Sequence, residues 1–180
     1  MQFWTFYPAF IGTLISITSW TRFARQEHLA HLPRTLSELA AERPGALQYY
    51  RTVLWVCGPL FLITMLGYIA PRTSQSAMVG TLCALTVLSE MTIGIFPAEQ
   101  GRITAHDVIA GVMGASMVLT AFAFAWELAG GYRLAELLIA VSISTLALLC
   151  MMDRKRYLFY ELPFIYLAHF SVLVAALAVR

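Results

Sequence analysis

The stretch from Ala105 to Met152 reads AHDVIAGVMGASMVLTAFAFAWELAGGYRLAELLIAVSISTLALLCMM. It contains two long apolar runs, 105–127 and 133–152, joined by a short turn with two adjacent glycines. A helix that crosses a membrane needs about 20 mostly apolar residues, and each run meets that length. The stretch therefore predicts two antiparallel transmembrane helices, and it sets the fold class of the chain.

The composition of the 180-residue chain extends this prediction to its whole length. Hydrophobic residues make up 59% and charged residues 12%, whereas an ordinary soluble domain has about 25% charged residues. No segment is polar enough, for long enough, to form a separate soluble domain. We predict one domain, residues 1–180, that folds as an all-α, six-helix, up-and-down transmembrane bundle. The predicted spans are 3–22, 50–70, 77–97, 105–127, 133–152 and 158–179.

The basic residues predict how the bundle is oriented, because cytoplasmic loops of membrane proteins are enriched in Arg and Lys. With six spans, nine of the 12 basic residues lie on one side and three on the other. We expect a protein of the bacterial cytoplasmic membrane with both termini outside. The net charge is only +2, and no basic stripe with interleaved aromatic residues indicates nucleic acid as a partner.

The loop between the first two predicted spans is the longest, and one of its segments has a helix signal. Thr35-Leu36-Ser37-Glu38 fits a capping box, in which a hydroxyl at the helix start and a carboxylate three residues later satisfy free amides. Leu36, Leu39 and Ala40 would share one face. Two interpretations follow: a short helix on the membrane surface, or an ordinary polar connector.

Polar residues interrupt the apolar pattern where the third span meets the fourth. Glu90 lies six residues before Phe96, roughly 9 Å along a helix, at a depth where a carboxylate costs on the order of 2.5–3.5 kcal/mol. It should face the bundle interior, either as a ligand or proton site or as a neutral side chain bonded to a neighbouring helix. His106 and Asp107 begin the next helix, Asp107 as a helix cap and His106 as either a solvated residue or a functional group.

The last helix begins on the same side of the membrane. It brings Glu161 there, and His169 follows eight residues deeper, where a single histidine is more typical of a packing residue. The up-and-down path therefore predicts one ligand-binding cluster at one leaflet. The predicted ligand-binding residues are Glu90, His106, Asp107, Glu161, Arg34 and Glu38. At the opposite face, Glu127 and Glu136 are predicted to be interfacial charges with structural roles.

Two stretches carry a resemblance to a known family. Residues 35–41, followed by Pro44 and the next span through Gly58, resemble the start of the uncharacterised prokaryotic membrane family numbered 998 among domains of unknown function. Residues 94–97, followed by His106-Asp107, resemble its middle motif. Together they cover roughly a third of the chain. The resemblance implies a bundle of six to seven helices, a broader likeness to Frag1/DRAM/Sfk1-type membrane proteins, and no established catalytic activity. It also draws interest to Ser37, Glu38, Phe96, Pro97 and His106.

These observations predict a non-enzymatic membrane protein that binds a lipid or other amphiphile through the polar cluster. One alternative is an accessory subunit of a larger membrane complex, with another membrane protein or a second copy of this chain as its partner. The other is a metal-dependent lipid hydrolase, for which His106 and His169 are weak metal candidates because no HExxH-like motif occurs. No cofactor is predicted. The three cysteines lie in apolar runs without a CxxC pair, so buried thiols are favoured over a disulfide or metal site.

Overall fold

A computed structural model describes residues 6–26, 35–96, 98 and 105–179, except for the side chains of Gln26 and Arg154. The described residues form α-helices with no strand among them, which confirms the all-α fold class. The helices are α1 (Tyr7–Gln26), α2 (Leu36–Ala41), α3 (Pro44–Thr64), α4 (Ser76–Ile93), α5 (Ala105–Glu127), α6 (Gly130–Met152) and α7 (Tyr157–Ala178).

Five helical segments of the described chain are long and apolar enough to cross a membrane. These segments are Pro44–Arg72, Ser76–Ile93, Ala105–Glu127, Gly130–Met152 and Tyr157–Ala178. They correspond to the second to sixth predicted spans. The first, α1, has 20 residues but is not among the five, because its sequence contains several hydroxyl side chains together with Arg22 and Arg25. The count of six spans therefore stays a prediction.

The helix ends differ from the predicted ends by a few residues. The second span begins at Pro44 rather than at residue 50, because proline suits the first position of a helix, where no amide is needed. The fifth begins at Gly130 rather than at residue 133. Gly130 has a positive φ of 57°, a conformation that glycine adopts at no steric cost. The third span ends at Ile93. Its predicted end was Pro97, which lies outside the described residues.

The helices pack as an antiparallel arrangement in which α3 and α7 are central. α1 packs against α3 and α7, α4 against α3 and α5, and α6 against α5 and α7. Apolar side chains form two buried clusters: a larger one that includes Trp20 and Phe61, and a smaller one around Met117 and Ile143. Residues of both clusters, Phe61 and Met117 among them, line the small cavity described below.

The third helix changes its winding as it approaches the turn to α4. Residues Met65–Ile69 form a π-helical segment and Ala70–Arg72 a 3₁₀ turn. Single π-helical turns are frequent at functional sites, because the inserted residue redirects the side chains around it. Met65, in this segment, is buried and faces the polar groups of the bundle centre.

The short helix predicted from the capping box is confirmed as α2. The Thr35 hydroxyl accepts from the Glu38 amide at 3.0 Å, and the Glu38 carboxylate accepts from the Thr35 amide at 2.8 Å. Leu36, Leu39 and Ala40 are all buried against the bundle, so the polar-connector alternative is wrong. The position of α2 relative to a membrane surface stays a prediction.

Candidate functional site

A carboxylate and an imidazole face each other inside the bundle. The Oε1 atom of Glu90, on α4, lies 3.5 Å from Nε2 of His169, on α7. Only 7% of the Glu90 side chain and 4% of the His169 side chain are exposed. The His169 ring stacks on Phe61 of α3, with 4.5 Å between ring centroids and 21° between planes. Three helices that are separate in the sequence therefore meet at this pair.

The two groups border a small cavity with both polar and apolar walls. Its volume is about 20 Å³, which is enough for one water molecule. Three hydroxyl residues, Thr86, Thr120 and Ser171, line it, and the hydroxyls of Thr86 and Thr120 are 3.2 Å apart in a hydrogen bond between α4 and α5. Apolar side chains from α3, α4, α5 and α7 form the rest of the cavity wall. A cavity with this lining has the polar partners that a buried water requires.

Both ring nitrogens of His169 lack a hydrogen-bond partner among the described residues. The contact with Glu90 at 3.5 Å is longer than the 2.7–3.2 Å usual for such a bond. A buried polar group without a partner destabilises a fold by about 1–3 kcal/mol, so it usually has a further role or a bound water. The expectation that His169 is a packing residue describes its stacking on Phe61 but not its two unpaired nitrogens.

A second buried carboxylic side chain lies close to the same cavity. The Ser171 hydroxyl donates a hydrogen bond to Oε1 of Glu136, on α6. Glu136 has no exposed surface, and its Oε2 atom has no partner among the described residues. The prediction of an interfacial charge is therefore wrong for Glu136, because α6 begins at Gly130 and places this residue nearly two turns inside the helix.

Glu127 has the structural role that was predicted for it. Its two carboxylate oxygens accept from the Ser74 amide at 2.6 Å and the Ser74 hydroxyl at 2.9 Å. The contacts join the end of α5 to the turn before α4. Charge-assisted bonds of this kind hold a turn in a defined position.

Two carboxylates of the predicted leaflet cluster hold α2 in place. Glu161 of α7 accepts from the Leu36 amide at 2.8 Å, while Glu38 completes the capping box. Both therefore satisfy free amides at the start of α2. These hydrogen bonds explain the positions of the two carboxylic side chains, and the explanation requires no ligand.

The remaining members of the predicted cluster have separate surroundings. The Nδ1 atom of His106 lies 2.8 Å from the Phe96 carbonyl oxygen, and the residue is buried. Asp107 is exposed in the first turn of α5. Arg34 lies outside the described residues. The structure thus gives Glu90, His106 and Glu161 different partners, and their common binding of a ligand stays a prediction.

The described residues contain no group of three or more His, Cys, Asp or Glu side chains placed to hold a metal ion. Cys57, Cys83 and Cys150 are buried and not joined by disulfides, as expected of thiols that act as small hydrophobic side chains.

The sequence indicates Glu90 as a candidate and names His169 and Glu136, but it does not place either of them near Glu90. Glu136 carries the same signal, a carboxylic side chain within an apolar run. Because Arg133 and a turn lie close to it in the sequence, the pattern predicts an interfacial charge. Ser171 and Thr120 give no signal of their own, since hydroxyl residues are common in transmembrane helices, where they bond to the preceding turn.

Five helices of the described chain are long and apolar enough to cross a membrane, and many large apolar side chains are exposed on the outside of the bundle. Together with the buried ionisable pair, they define a multi-pass α-helical membrane protein. Within that class, the chain belongs to the family described as "Protein of unknown function (DUF998)", whose sequence profile matches residues 10–179. The resemblance seen in the short motifs is thereby confirmed over nearly the whole chain. No curated protein and no solved structure matches the chain. The broader likeness to Frag1/DRAM/Sfk1-type proteins stays a prediction.

Proposed function

We propose that this chain is a non-enzymatic integral membrane protein that binds and releases a proton at the Glu90–His169 pair. The observation that carries the proposal is the 3.5 Å approach of two buried ionisable side chains inside a largely apolar bundle. Ionisable residues inside transmembrane segments are costly, and they mark ion pathways or proton relays in many membrane proteins. Histidine is also the side chain whose ordinary titration lies closest to neutral pH.

The size of the cavity favours a proton over a larger ligand. A volume of about 20 Å³ admits water but no organic headgroup unless the helices separate. A proton needs no such space. It converts the neutral imidazole into a cation that a carboxylate at this distance attracts strongly, because little solvent screens the pair.

The pair lies where a change of charge would alter helix packing. Glu90 belongs to α4, His169 to α7, and Phe61, which stacks on the imidazole, to α3. A proton on His169 would draw Glu90 closer and change the contact with the Phe61 ring. We infer that the packing of α3, α4 and α7 responds to the protonation of this pair.

Infrared difference spectra of the purified chain in lipid nanodiscs test the proposal. Between pH 8 and pH 5, we expect a carboxyl band that is lost in Glu90→Gln and an imidazole band that is lost in His169→Gln. Glu127→Gln is the matched control, because Glu127 is a carboxylate that holds a turn outside the cavity. Spectra in which Glu90→Gln and His169→Gln both match the wild type would contradict the proposal.

The proposal includes the six-span architecture predicted from the sequence. α1 is 20 residues long, about 30 Å, which is the thickness of a hydrocarbon core. It is joined to the bundle by the Thr21–Tyr166 hydroxyl contact at 2.8 Å and by Trp20, whose ring lies 5.3 Å from that of Tyr50. We propose that α1 is a sixth span in the bacterial cytoplasmic membrane, with both termini outside.

Amphiphile binding is the second candidate function, and one surface favours it. An open cleft of about 700 Å³ lies at the end of the bundle where α5 meets α6, with Arg72 and Glu127 among its lining residues. The Arg72 guanidinium lies 4.1 Å from the centre of the Tyr68 ring and donates to the Tyr68 carbonyl at 2.9 Å. A fixed cation near a carboxylate suits a zwitterionic lipid headgroup.

Lipid retention after purification tests this second candidate. Native mass spectrometry of the wild type should detect bound phosphatidylethanolamine that is lost in Arg72→Gln. Lys155→Gln, an exposed basic residue remote from the cleft in sequence and outside its lining, serves as the control. Equal retention in the three proteins would exclude the cleft as the binding site.

A further inference from the structure

Ser171 borders both buried polar sites of the bundle. It is one of the residues that line the cavity beside Glu90 and His169, and its hydroxyl donates to Glu136. We propose that Ser171 passes a proton between the Glu90–His169 pair and Glu136, which makes Glu136 a second proton-binding group. The proposal rests on the proposed function for the first site, whereas the role of Glu136 rests on its own contacts.

Glu136 has the surroundings of a group that holds a proton rather than a fixed charge. It is fully buried, and the described residues contain no cation bonded to it. Its Oε1 atom accepts from Ser171, while its Oε2 atom has no partner among them. A buried carboxylate without a counter-charge is strongly disfavoured, so this side chain becomes stable by taking up a proton.

The cavity supplies the link between the two groups. Its volume of about 20 Å³ fits one water molecule, and the hydroxyl residues Thr86, Thr120 and Ser171 are among those that line it. A water there can bond to His169, which otherwise has two unpaired nitrogens, and to the Ser171 oxygen. The resulting path contains only hydrogen-bonding groups: the Glu90–His169 pair, water, Ser171 and Glu136.

The transfer is balanced in protons and breaks no bond between heavy atoms. The pair gives a proton to the water, and the water gives one of its own protons to the Ser171 oxygen. At the same time the Ser171 hydroxyl proton moves to Glu136. The pair loses one proton and Glu136 gains one, while the water and Ser171 keep their composition. The reverse sequence returns the proton.

The depth of the two ends gives the relay a direction across the membrane. Glu90 lies three residues from the Ile93 end of α4, and Glu136 lies six residues from the Gly130 end of α6. These helix ends are on opposite sides of the bundle, because α4 and α6 run in the same direction with one helix between them. A proton moved from Glu90 to Glu136 therefore travels towards the opposite membrane face.

Hydrogen–deuterium exchange of the Glu136 carboxyl group tests the relay. The full-length chain in nanodiscs is transferred to D₂O, and the carboxyl band, assigned by its loss in Glu136→Gln, is followed in time. We expect Ser171→Ala to slow its isotopic shift at least about tenfold, since the hydroxyl that carries the proton is absent. Ser171→Thr, which keeps the hydroxyl, should restore the rate. Ser116→Ala should leave it unchanged, because Ser116 is a buried hydroxyl that bonds within α5.

Two outcomes overturn the proposal. If the exchange rate in Ser171→Ala equals that of the wild type, Ser171 does not carry the proton. If no Glu136 carboxyl band is seen between pH 4 and pH 9, Glu136 does not bind a proton. If Ser171→Ala does not fold, Glu90→Gln gives the same test from the other end. Glu90→Gln should slow the exchange of Glu136. An unchanged rate would show that no proton passes between the Glu90–His169 pair and Glu136. The pH difference bands of Glu90 and His169 are measured in the wild type, so failure of the proposed function is recognised independently.

Discussion

His169 combines good packing with unsatisfied polar atoms. Its ring has a near-parallel stack on Phe61, so most of the ring's apolar contact is made, while neither nitrogen has a hydrogen-bond partner among the described residues. Packing of this kind stabilises the fold and the bare nitrogens destabilise it. A residue chosen only for stability would therefore be aromatic and apolar.

The stack on Phe61 and the pairing with Glu90 predict losses of different size for two substitutions. His169→Phe should lower the free energy of unfolding by about 1–3 kcal/mol, because the stack is kept while the buried Glu90 side chain loses its partner. His169→Ala should lower it by roughly 2–5 kcal/mol, since it leaves a cavity beside Phe61. Denaturant or thermal unfolding in detergent measures both. Equal destabilisation by the two variants would show that the stack on Phe61 contributes nothing to stability.

At the scale of the helices, α3 and α4 approach closely where Gly58 faces Met91. A Cβ atom added at Gly58 would lie 2.5 Å from Cγ and 2.7 Å from Sδ of Met91. Any larger residue would displace the Met91 side chain, so the glycine permits the present spacing of the two helices, as small residues do at other close contacts between transmembrane helices. This contact is one residue from Glu90 along α4, so it also helps to position the carboxylate.

Gly58→Ala should lower the free energy of unfolding by about 1–3 kcal/mol, because Met91 must move from its packed position. Gly111→Ala is the matched control. Gly111 also lies inside a long helix, but nothing lies within 4 Å of its added Cβ atom, and alanine favours helix by about 1 kcal/mol over glycine. The control should be as stable as the wild type or more stable. A Gly58→Ala protein as stable as Gly111→Ala would show that α3 and α4 are not in close contact there.

Across the whole molecule, much of the architecture could be predicted because each signal is local. The apolar runs gave five helices to within a few residues at most ends, and the capping box at Thr35 gave α2. The partner of Glu90 could not be predicted in this way. Spacing along a helix gives the depth of a residue, but which residue of a distant helix lies beside it depends on how the helices pack. The contact with His169 and the burial of Glu136 are both of this kind.

The orientation of the bundle can be tested with cysteines introduced one at a time. The three native cysteines are buried and give little background. If α1 spans the membrane and both termini are outside, Tyr7→Cys and Gln75→Cys react with an impermeant maleimide in intact cells. Lys155→Cys then reacts only after permeabilisation. All three positions are exposed. Labelling of Tyr7→Cys and Lys155→Cys from the same side would show that α1 does not cross.

Proton exchange by the Glu90–His169 pair inside the bundle can be followed on the imidazole itself. The nitrogen NMR spectrum of ¹⁵N-histidine-labelled protein is recorded in nanodiscs, with the His169 signals assigned by their loss in His169→Gln. We expect these signals to change from the neutral to the charged form between pH 8 and pH 5, and Glu90→Gln to alter the change. His169 signals that stay those of a neutral imidazole over the whole range, in the wild type and in Glu90→Gln alike, would contradict it.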